Sequence, residues 1–449
     1  MNESLQRQSN FTTFDGQLSL QTTHQRPDRY SHLEQAAPDV FCIPRGRGYS
    51  YSAASFGKDS LVQDMSLFNR FLHFDEEAST LTVEPGVTLQ ALMAWAMQRK
   101  LYFPVMPGYP LITVGGCVAV DAHGKNPAKD GTMKDWVQAL TVLHPAKGYQ
   151  QCSPQLNTQL FELTCGGFGL TGIITNITLK LLPLPSTQLA MQQTHVASLG
   201  TAIELLASDD SDVLYSWHDL CFGSDFGRGI VHSGEWCEGP VALSEKTGQI
   251  EIPRYPPMTA QSRARLPFSL WNRLSARMAN SLLLALSKRQ SPESRVSLFA
   301  ASFPFAGNPY FHTFFGSQGL SEAQILVPSA GITSFLAALE HLIQTTQAPT
   351  MMGSIKAFRG SAQALSLSGS GYLVTVVCYT AKNVTAFLDS LDQLTLEHAG
   401  QPNLTKDSRV PQRIAERTLP HFESFKERLV TYDPPRLMRS ELSARLGLL

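Results

Sequence analysis

Residues 104–131 read PVMPGYPLITVGGCVAVDAHGKNPAKDG, in which small residues at Gly115, Gly116, Ala119 and Ala122 lead into the polar tetrad His123-Gly124-Lys125-Asn126. Glycine lets a backbone come close to a ligand, because no Cβ intervenes and positive φ costs little, so N–H groups can face a pyrophosphate. A lone Gly-Gly pair serves equally well as a tight turn in a buried strand. The neighbours must decide between the two.

A chain of 449 residues is longer than one hydrophobic core supports, so two or three domains are expected. With 43% hydrophobic and 16% charged residues and a formal net charge of -1, the composition is that of a soluble globular protein. Nucleic acid is not expected as a partner, since no Lys/Arg excess is available to neutralise a phosphate backbone. The seven cysteines, Cys42, Cys117, Cys152, Cys165, Cys221, Cys237 and Cys378, are odd in number and show neither CxxC nor zinc-ligand spacing. A reduced, cytoplasmic setting without a metal is the expectation. The N-terminal MNESLQRQSNFTTFDG has no signal-peptide core, and no later run approaches the ~18 to 20 apolar residues of a membrane span.

In chain order, Asp28 followed by Tyr30, Leu33 and Ala36 predicts a short helix, and 39–44 a brief apolar strand running into Arg45-Gly-Arg-Gly-Tyr-Ser50. That glycine turn is not GxGxxG and no helical pattern follows it, which excludes a Rossmann reading. Strands are predicted at 61–65, 71–75 and 80–85, an amphipathic helix at 88–101, a strand at 136–144 and a short helix at 158–164. A second glycine cluster, Cys165-Gly-Gly-Phe-Gly-Leu-Thr-Gly172, feeds a strand at 173–181. The glycines concentrate at strand ends in a mixed α+β pattern.

Five segments recur in order over residues 41–181: Arg45-Gly-Arg-Gly-Tyr-Ser50, Leu61-Val-Gln-Asp-Met-Ser-Leu-Phe-Asn69, Val83-Glu-Pro-Gly-Val87, Pro107-Gly108 with Thr113-Val-Gly-Gly116, and Gly166-Gly-Phe-Gly-Leu-Thr-Gly-Ile173. Together they resemble the FAD-binding domain of the vanillyl-alcohol oxidase (PCMH-type) flavoproteins. Within that family, Ala119-Val-Asp-Ala-His-Gly-Lys-Asn126 is most similar to the branch that oxidises a lipid-linked ribose at a secondary hydroxyl. That likeness continues through Trp217-His-Asp219, Lys356-Ala-Phe358, Lys406-Asp-Ser-Arg409 and 432–446, and is poor over about 240–310.

The resemblance implies an α+β protein with a two-part FAD-binding domain over 1–185, a sheet-and-helix cap domain over 186–400, and a segment, 401–449, returning to the flavin site. It implies cofactor contacts from Arg45, Gly46, Arg47, Gly48, Tyr49, Ser50, Pro107, Gly108, Thr113, Gly115, Gly116, Ala119, Ala122, His123, Gly124, Asn126, Gly169, Gly172 and Ile173. Physically, backbone amides around Gly46 to Ser50 and at Gly115 and Gly116 would hold the pyrophosphate, with the Ser50 hydroxyl as a further donor. Lys406 is the implied cation beside the flavin pyrimidine, with Lys356 as a second candidate. His123 is a candidate proton acceptor, since an imidazole titrates near ~6.5; equally, it serves as a loop hydrogen-bonding group.

Many relatives anchor the flavin covalently, at a histidine where this chain has Tyr49 or a cysteine where it has Leu111. With both anchors missing, noncovalent FAD is the expectation. On the substrate side, Gln324 keeps one of two implied amides, Glu322 replaces the other, and Thr375 stands at a cysteine position. Tyr215 and Trp217 read either as core aromatics or as a lid over the sugar.

In the cap region, strands are predicted at 212–215, 229–232, 296–301, 324–327, 351–358 and 372–380, with helices at 199–208, 329–346 and 381–398. Residues 263–289 place Leu270, Leu274, Met278, Leu282 and Leu286 on one helical face, with Arg273, Arg277, Lys288, Arg289 and Trp271 around it. Such a helix docks on its own sheet or lies in a membrane interface. The function implied is removal of hydride from a sugar secondary alcohol, on a polyprenylphosphoryl-linked pentose in cell-wall or polysaccharide biosynthesis, with a separate keto-sugar reductase. Two alternatives stay open: an aldonolactone or alditol oxidase acting on a free sugar, and an inactive flavin-binding or partner-binding module.

Overall fold

The computed structural model describes residues 6–34, 40–239, 266–304, 306 and 311–449. Its strands form three main sheets. In the first, an antiparallel hairpin of Arg7–Thr12 and Ser19–Gln25 adds to Leu61–Asp64, which runs parallel to both Ser19–Gln25 and Cys42–Arg45. The hairpin was not expected, because RQSNFT and SLQTTHQ carry almost no apolar alternation.

The second sheet is antiparallel, in the order Phe71–Asp75, Thr80–Val83, Ile173–Lys180, Val137–His144, Gly148–Cys152. Helix Leu89–Met97 starts where the Thr88 hydroxyl accepts from Ala91 N–H, and buries Leu92, Met93 and Ala96 against Leu81, Ile177 and Leu179. Helix Val114–Val120 joins the same core through Val114, Cys117 and Val118. The turn-or-strand reading of this run is corrected: the Thr113 side chain caps Gly116 N–H, and the glycines form the first helical turn.

The third sheet has eight antiparallel strands, in the order Glu293–Ser297, Gln188–Val196, Gly229–Trp236, Val213–Asp219, Thr350–Ser361, Ser368–Tyr379, Leu320–Pro328, Gln401–Pro402. Helices Leu199–Ser208, Ile332–Thr346 and Val384–Glu397 pack on one side of it. They bury Phe335, Leu339 and Leu391 against Ala323, Ile325, Val374 and Val376. Strand periodicity then turns Glu322, Gln324, Thr375 and Val377 to the opposite face. The single strand expected at 296–301 is corrected: the Ser297 hydroxyl accepts from Ala300 N–H and starts helix Leu298–Ser302.

At the N-terminal end, Tyr30–Glu34 is helical, while Ala36 and Asp39 of the predicted segments lie outside the described residues. Asp28 pairs with Arg29 and His32 rather than capping that helix. The C-terminal segment returns to the first sheet. Helices Gln412–Thr418, Phe422–Tyr432 and Glu441–Arg445 share a buried cluster with Ile43, Phe56 and Phe168. Phe425 sits at its centre, fully buried, and truncating such a ring costs about 3–5 kcal/mol.

Candidate functional site

A cavity of 390 Å³ lies where the glycine loops of the first two sheets meet the face of the third that is opposite helices Leu199–Ser208, Ile332–Thr346 and Val384–Glu397. Its first wall begins after Cys42–Arg45. The chain turns through Gly48 at φ +71°, where a side chain would run into the Arg45 guanidinium. That guanidinium is held between Phe11 and Phe56, 4.6 and 5.6 Å from their ring centres, and donates to Ser55 Oγ at 2.7 Å. Among the described residues, the N–H groups of Gly48 and Ser50 donate to no protein acceptor, leaving two backbone donors beside the cavity. Ser50 Oγ shares a 2.7 Å hydrogen bond with Ser52 Oγ.

The Gly115-Gly116 pair has a different task. Gly115 N–H donates to Pro85 O at 2.8 Å, and Gly116 N–H to Thr113 Oγ1 at 3.3 Å, so the expectation that these amides face a pyrophosphate is corrected. What matters at Gly115 is the missing side chain, whose Cβ would lie 2.5 Å from Pro85 Cβ. Arg47, Tyr49, Pro107, Gly108, Thr113, Ala119, Ala122, Gly124, Gly169 and Gly172 all reach the wall. Asn126 and Ile173 do not. Asn126 caps the short helix Pro127–Asp130 and donates to Ser211 O at 2.7 Å, while Ile173 packs with Leu33, Cys42 and Phe68. Ile174, one residue on, faces the cavity instead.

The other wall is a row across the third sheet. Trp217 pairs with Ser354, Ser354 with Thr375 and Thr375 with Gln324, so one register line crosses four strands along the cavity. Tyr215 and Trp217 are mid-strand residues of this wall, not a lid. Tyr215 stacks on His232 at 4.9 Å, and Trp217 Nε1 donates to Met352 Sδ at 3.3 Å.

Lysines dominate the charge. Lys356 Nζ donates to Gly124 O at 3.3 Å, Lys406 Nζ lies 3.4 Å from Glu322 Oε1 and 4.8 Å from the Tyr51 ring centre, and Lys125 Nζ lies 5.6 Å from the Tyr215 ring centre. Removal from bulk water, then Lys406, pushes the Lys356 ammonium down to about 8, and Lys125 is driven well below its ordinary value by the same cause and by both other lysines. His123 Nε2 lies 3.2 Å from Gln324 Oε1 and its Nδ1 3.3 Å from Gly124 O. Two oxygen neighbours favour a cation, yet desolvation and Lys356 outweigh them and lower the imidazole to about 3. His123 is therefore neutral at physiological pH and a weak base, contrary to its candidacy as proton acceptor.

Residues 36–152 match the FAD binding domain family. The decaprenylphosphoryl-beta-D-ribose oxidase of Mycolicibacterium smegmatis is 26% identical over 425 residues, spanning 91% of this chain and 89% of its own. A D-lactate dehydrogenase of Anaerostipes hadrus is 32% identical over 144 residues, 31% of this chain and 30% of its own. A probable L-gulonolactone oxidase of Arabidopsis thaliana is 32% identical over 147 residues, 30% and 24% of the two chains. Residues 36–152 thus carry an FAD binding domain.

The chain offers FAD a glycine-walled cavity that brings together the backbone donors of Gly48 and Ser50 and the three lysines. Tyr49 stacks on Tyr109 at 5.8 Å in the place of one covalent anchor. Cys117, also on the wall, is 1% exposed, and burial pushes its thiol up to about 12, so it is no nucleophile.

Sequence reasoning left several wall residues unassigned. Asn403 donates from Nδ2 to Gln324 Oε1 at 2.6 Å and from its backbone to Gln324 O at 2.7 Å. Its proximity to Lys406 was the available signal. Tyr51, Tyr109, Phe311 and Phe358 also line the cavity, and nothing in their local sequence separates them from core aromatics. Gly46→Ala would drive a Cβ into Thr113 Oγ1, the cap of helix Val114–Val120. The variant is expected to bind FAD about tenfold more weakly, read from flavin retained after gel filtration; wild-type retention would contradict this packing.

Proposed function

We propose that this chain holds FAD noncovalently and removes hydride from a secondary alcohol of a sugar carried on a polyprenyl phosphate, giving a keto sugar. The observation that carries the reading is the convergence of Lys125, Lys356 and Lys406 on one cavity, against Glu322 as their nearby carboxylate. Desolvated ammonium groups are costly until an anion arrives, and a phosphoryl group restores the charge of Lys125. Similarity to the ribose oxidase spans nearly the whole chain, including the strand that carries Lys356 and the turn that carries Lys406, whereas the lactone-oxidase matches span about a third.

When bound, FAD supplies the hydride acceptor and takes on negative charge. Lys406 provides the compensating cation, oriented by Glu322 and the face of Tyr51. Lys356, lowered to about 8, has a neutral fraction able to take the proton of the alcohol. His123 positions Gln324, and the row Trp217, Ser354, Thr375 and Gln324 forms the sugar wall. Glu322 accepts hydroxyl groups where an amide would also donate, which biases the site toward donors. The keto product calls for a separate keto-sugar reductase to consume it, and a lipid-linked substrate calls for work at a membrane surface.

Anaerobic mixing tests the proposal. A polyprenylphosphoryl pentose is expected to bleach the visible flavin absorbance while free aldonolactones and alditols do not; the reverse pattern overturns it. The bleaching rate is expected to rise with pH through about 8 and then level, because the neutral amine of Lys356 is the active form. Lys356→Met should lower that rate about 100-fold with flavin content unchanged. A pH-independent rate, or a variant as fast as wild type, rules Lys356 out.

A further inference from the structure

Helix Arg273–Ser287 is amphipathic in the reverse of the usual sense. Its inward face is narrow and only partly apolar: Ala276, the polar Asn280 and Leu284 are the buried residues. Asn280 Nδ2 donates to Asp219 Oδ1 at 2.7 Å and to Met351 O at 2.8 Å, and Arg228 reaches both Ser281 Oγ at 2.8 Å and Asp219 Oδ2 at 3.1 Å. Arg277 faces Asp225 at 3.8 Å. The outward face is apolar, with Leu274 69%, Met278 63%, Leu282 60% and Leu286 48% exposed, and Phe268 and Leu270 extend it beyond the helix start at 61% and 43%. A helix docked for its apolar face would show the opposite pattern. The expectation that 270, 274, 278, 282 and 286 pack on the cap sheet is therefore corrected, and residues 263–265 of that stretch lie outside the described residues.

Charge selects the occupant. Between Leu266 and Ser291 the chain carries Arg273, Arg277, Lys288 and Arg289 and no acidic residue. A second copy meeting this face about a two-fold axis would set cations on cations. An anionic surface with an apolar interior satisfies both the stripe and its rim. The face also connects to the cavity. Trp271 lies 6.0 Å from the Phe315 ring, Phe315 lies 5.2 Å from Phe311, and Phe311 lines the cavity wall. Among the described residues no helix is long and apolar enough to cross a membrane.

We propose that the exposed stripe of helix Arg273–Ser287 seats in the interface of an anionic lipid bilayer, presenting the aromatic edge of the cavity to the membrane. The proposal deepens the lipid-linked reading of the substrate, but its test does not depend on turnover. Full-length flavin-loaded protein is floated with phosphatidylglycerol–phosphatidylcholine vesicles and with pure phosphatidylcholine vesicles, at low and high salt. Wild type is expected to float with the anionic vesicles at low salt. Leu274→Ser/Met278→Ser/Leu282→Ser should lower the bound fraction about tenfold or more, with visible flavin absorbance and Tm retained as folding controls. Lys288→Gln/Arg289→Gln changes only exposed side chains, and should abolish the preference for anionic over neutral vesicles. Failure of wild type to float at low salt overturns the proposal, as does undiminished floating of the triple variant. A dimer in solution that the triple variant converts to monomer, without vesicle binding, also overturns it and gives the face to a second copy. Vesicle binding without substrate bleaching would leave this proposal standing and remove the lipid-linked one.

Discussion

The side-chain amide of Gln324 joins three parts of the chain that lie far apart in sequence. Its oxygen accepts from Asn403 Nδ2 at 2.6 Å and lies 3.2 Å from His123 Nε2, and its nitrogen donates to Thr375 Oγ1 at 2.9 Å. His123 comes from the glycine-rich part, Thr375 from the large sheet and Asn403 from the returning C-terminal segment. The amide is 6% exposed, so each of these bonds is made away from bulk water, where an unpaired partner costs about 1–3 kcal/mol. Because Gln324 and Glu322 share a strand face, fixing the amide also fixes the carboxylate that holds Lys406. The cavity is thus completed only when all three parts are in place.

Electrostatics gives that cavity its chemical bias. Three lysines line one cavity, Lys406 being the more open with 36% of its side chain exposed, and desolvation followed by mutual repulsion lowers Lys356 and Lys125. Folding tolerates this because Gly124 O, Glu322 and the aromatic faces of Tyr51 and Tyr215 each take part of the charge. The arrangement is relieved by negative charge, whether on a phosphoryl-bearing substrate or on a flavin that has accepted hydride. The same cations that are unfavourable at rest therefore favour the reaction proposed.

Much of this architecture was legible in the sequence. Helices at Leu199–Ser208 and Thr158–Thr164 and the strand Phe71–Asp75 followed directly from apolar spacing, and the ordered glycine segments pointed to FAD. Long-range pairing was harder to read. The hairpin from Arg7 to Gln25 is polar and acquires its place only by pairing with Leu61–Asp64, and the helix at Val114 depends on Thr113 capping a run that glycine otherwise disfavours. His123 was read with the titration of a free imidazole, since the burial that depresses it is created by the fold and Lys356 reaches the neighbouring Gly124 from 232 residues away in the chain. The stripe at 270–286 was visible as a periodicity, but which face the fold covers was settled by Asn280 and Arg228.

The central claim is that Lys406 supplies the charge that favours hydride acceptance at the flavin. The reduction potential of the bound FAD, compared between wild type and Lys406→Met at equal flavin occupancy, tests it most directly. The account predicts that the variant is harder to reduce, with a potential lower by about 30 mV or more, which for a two-electron couple is about 1.4 kcal/mol. A potential that is unchanged or raised would contradict it.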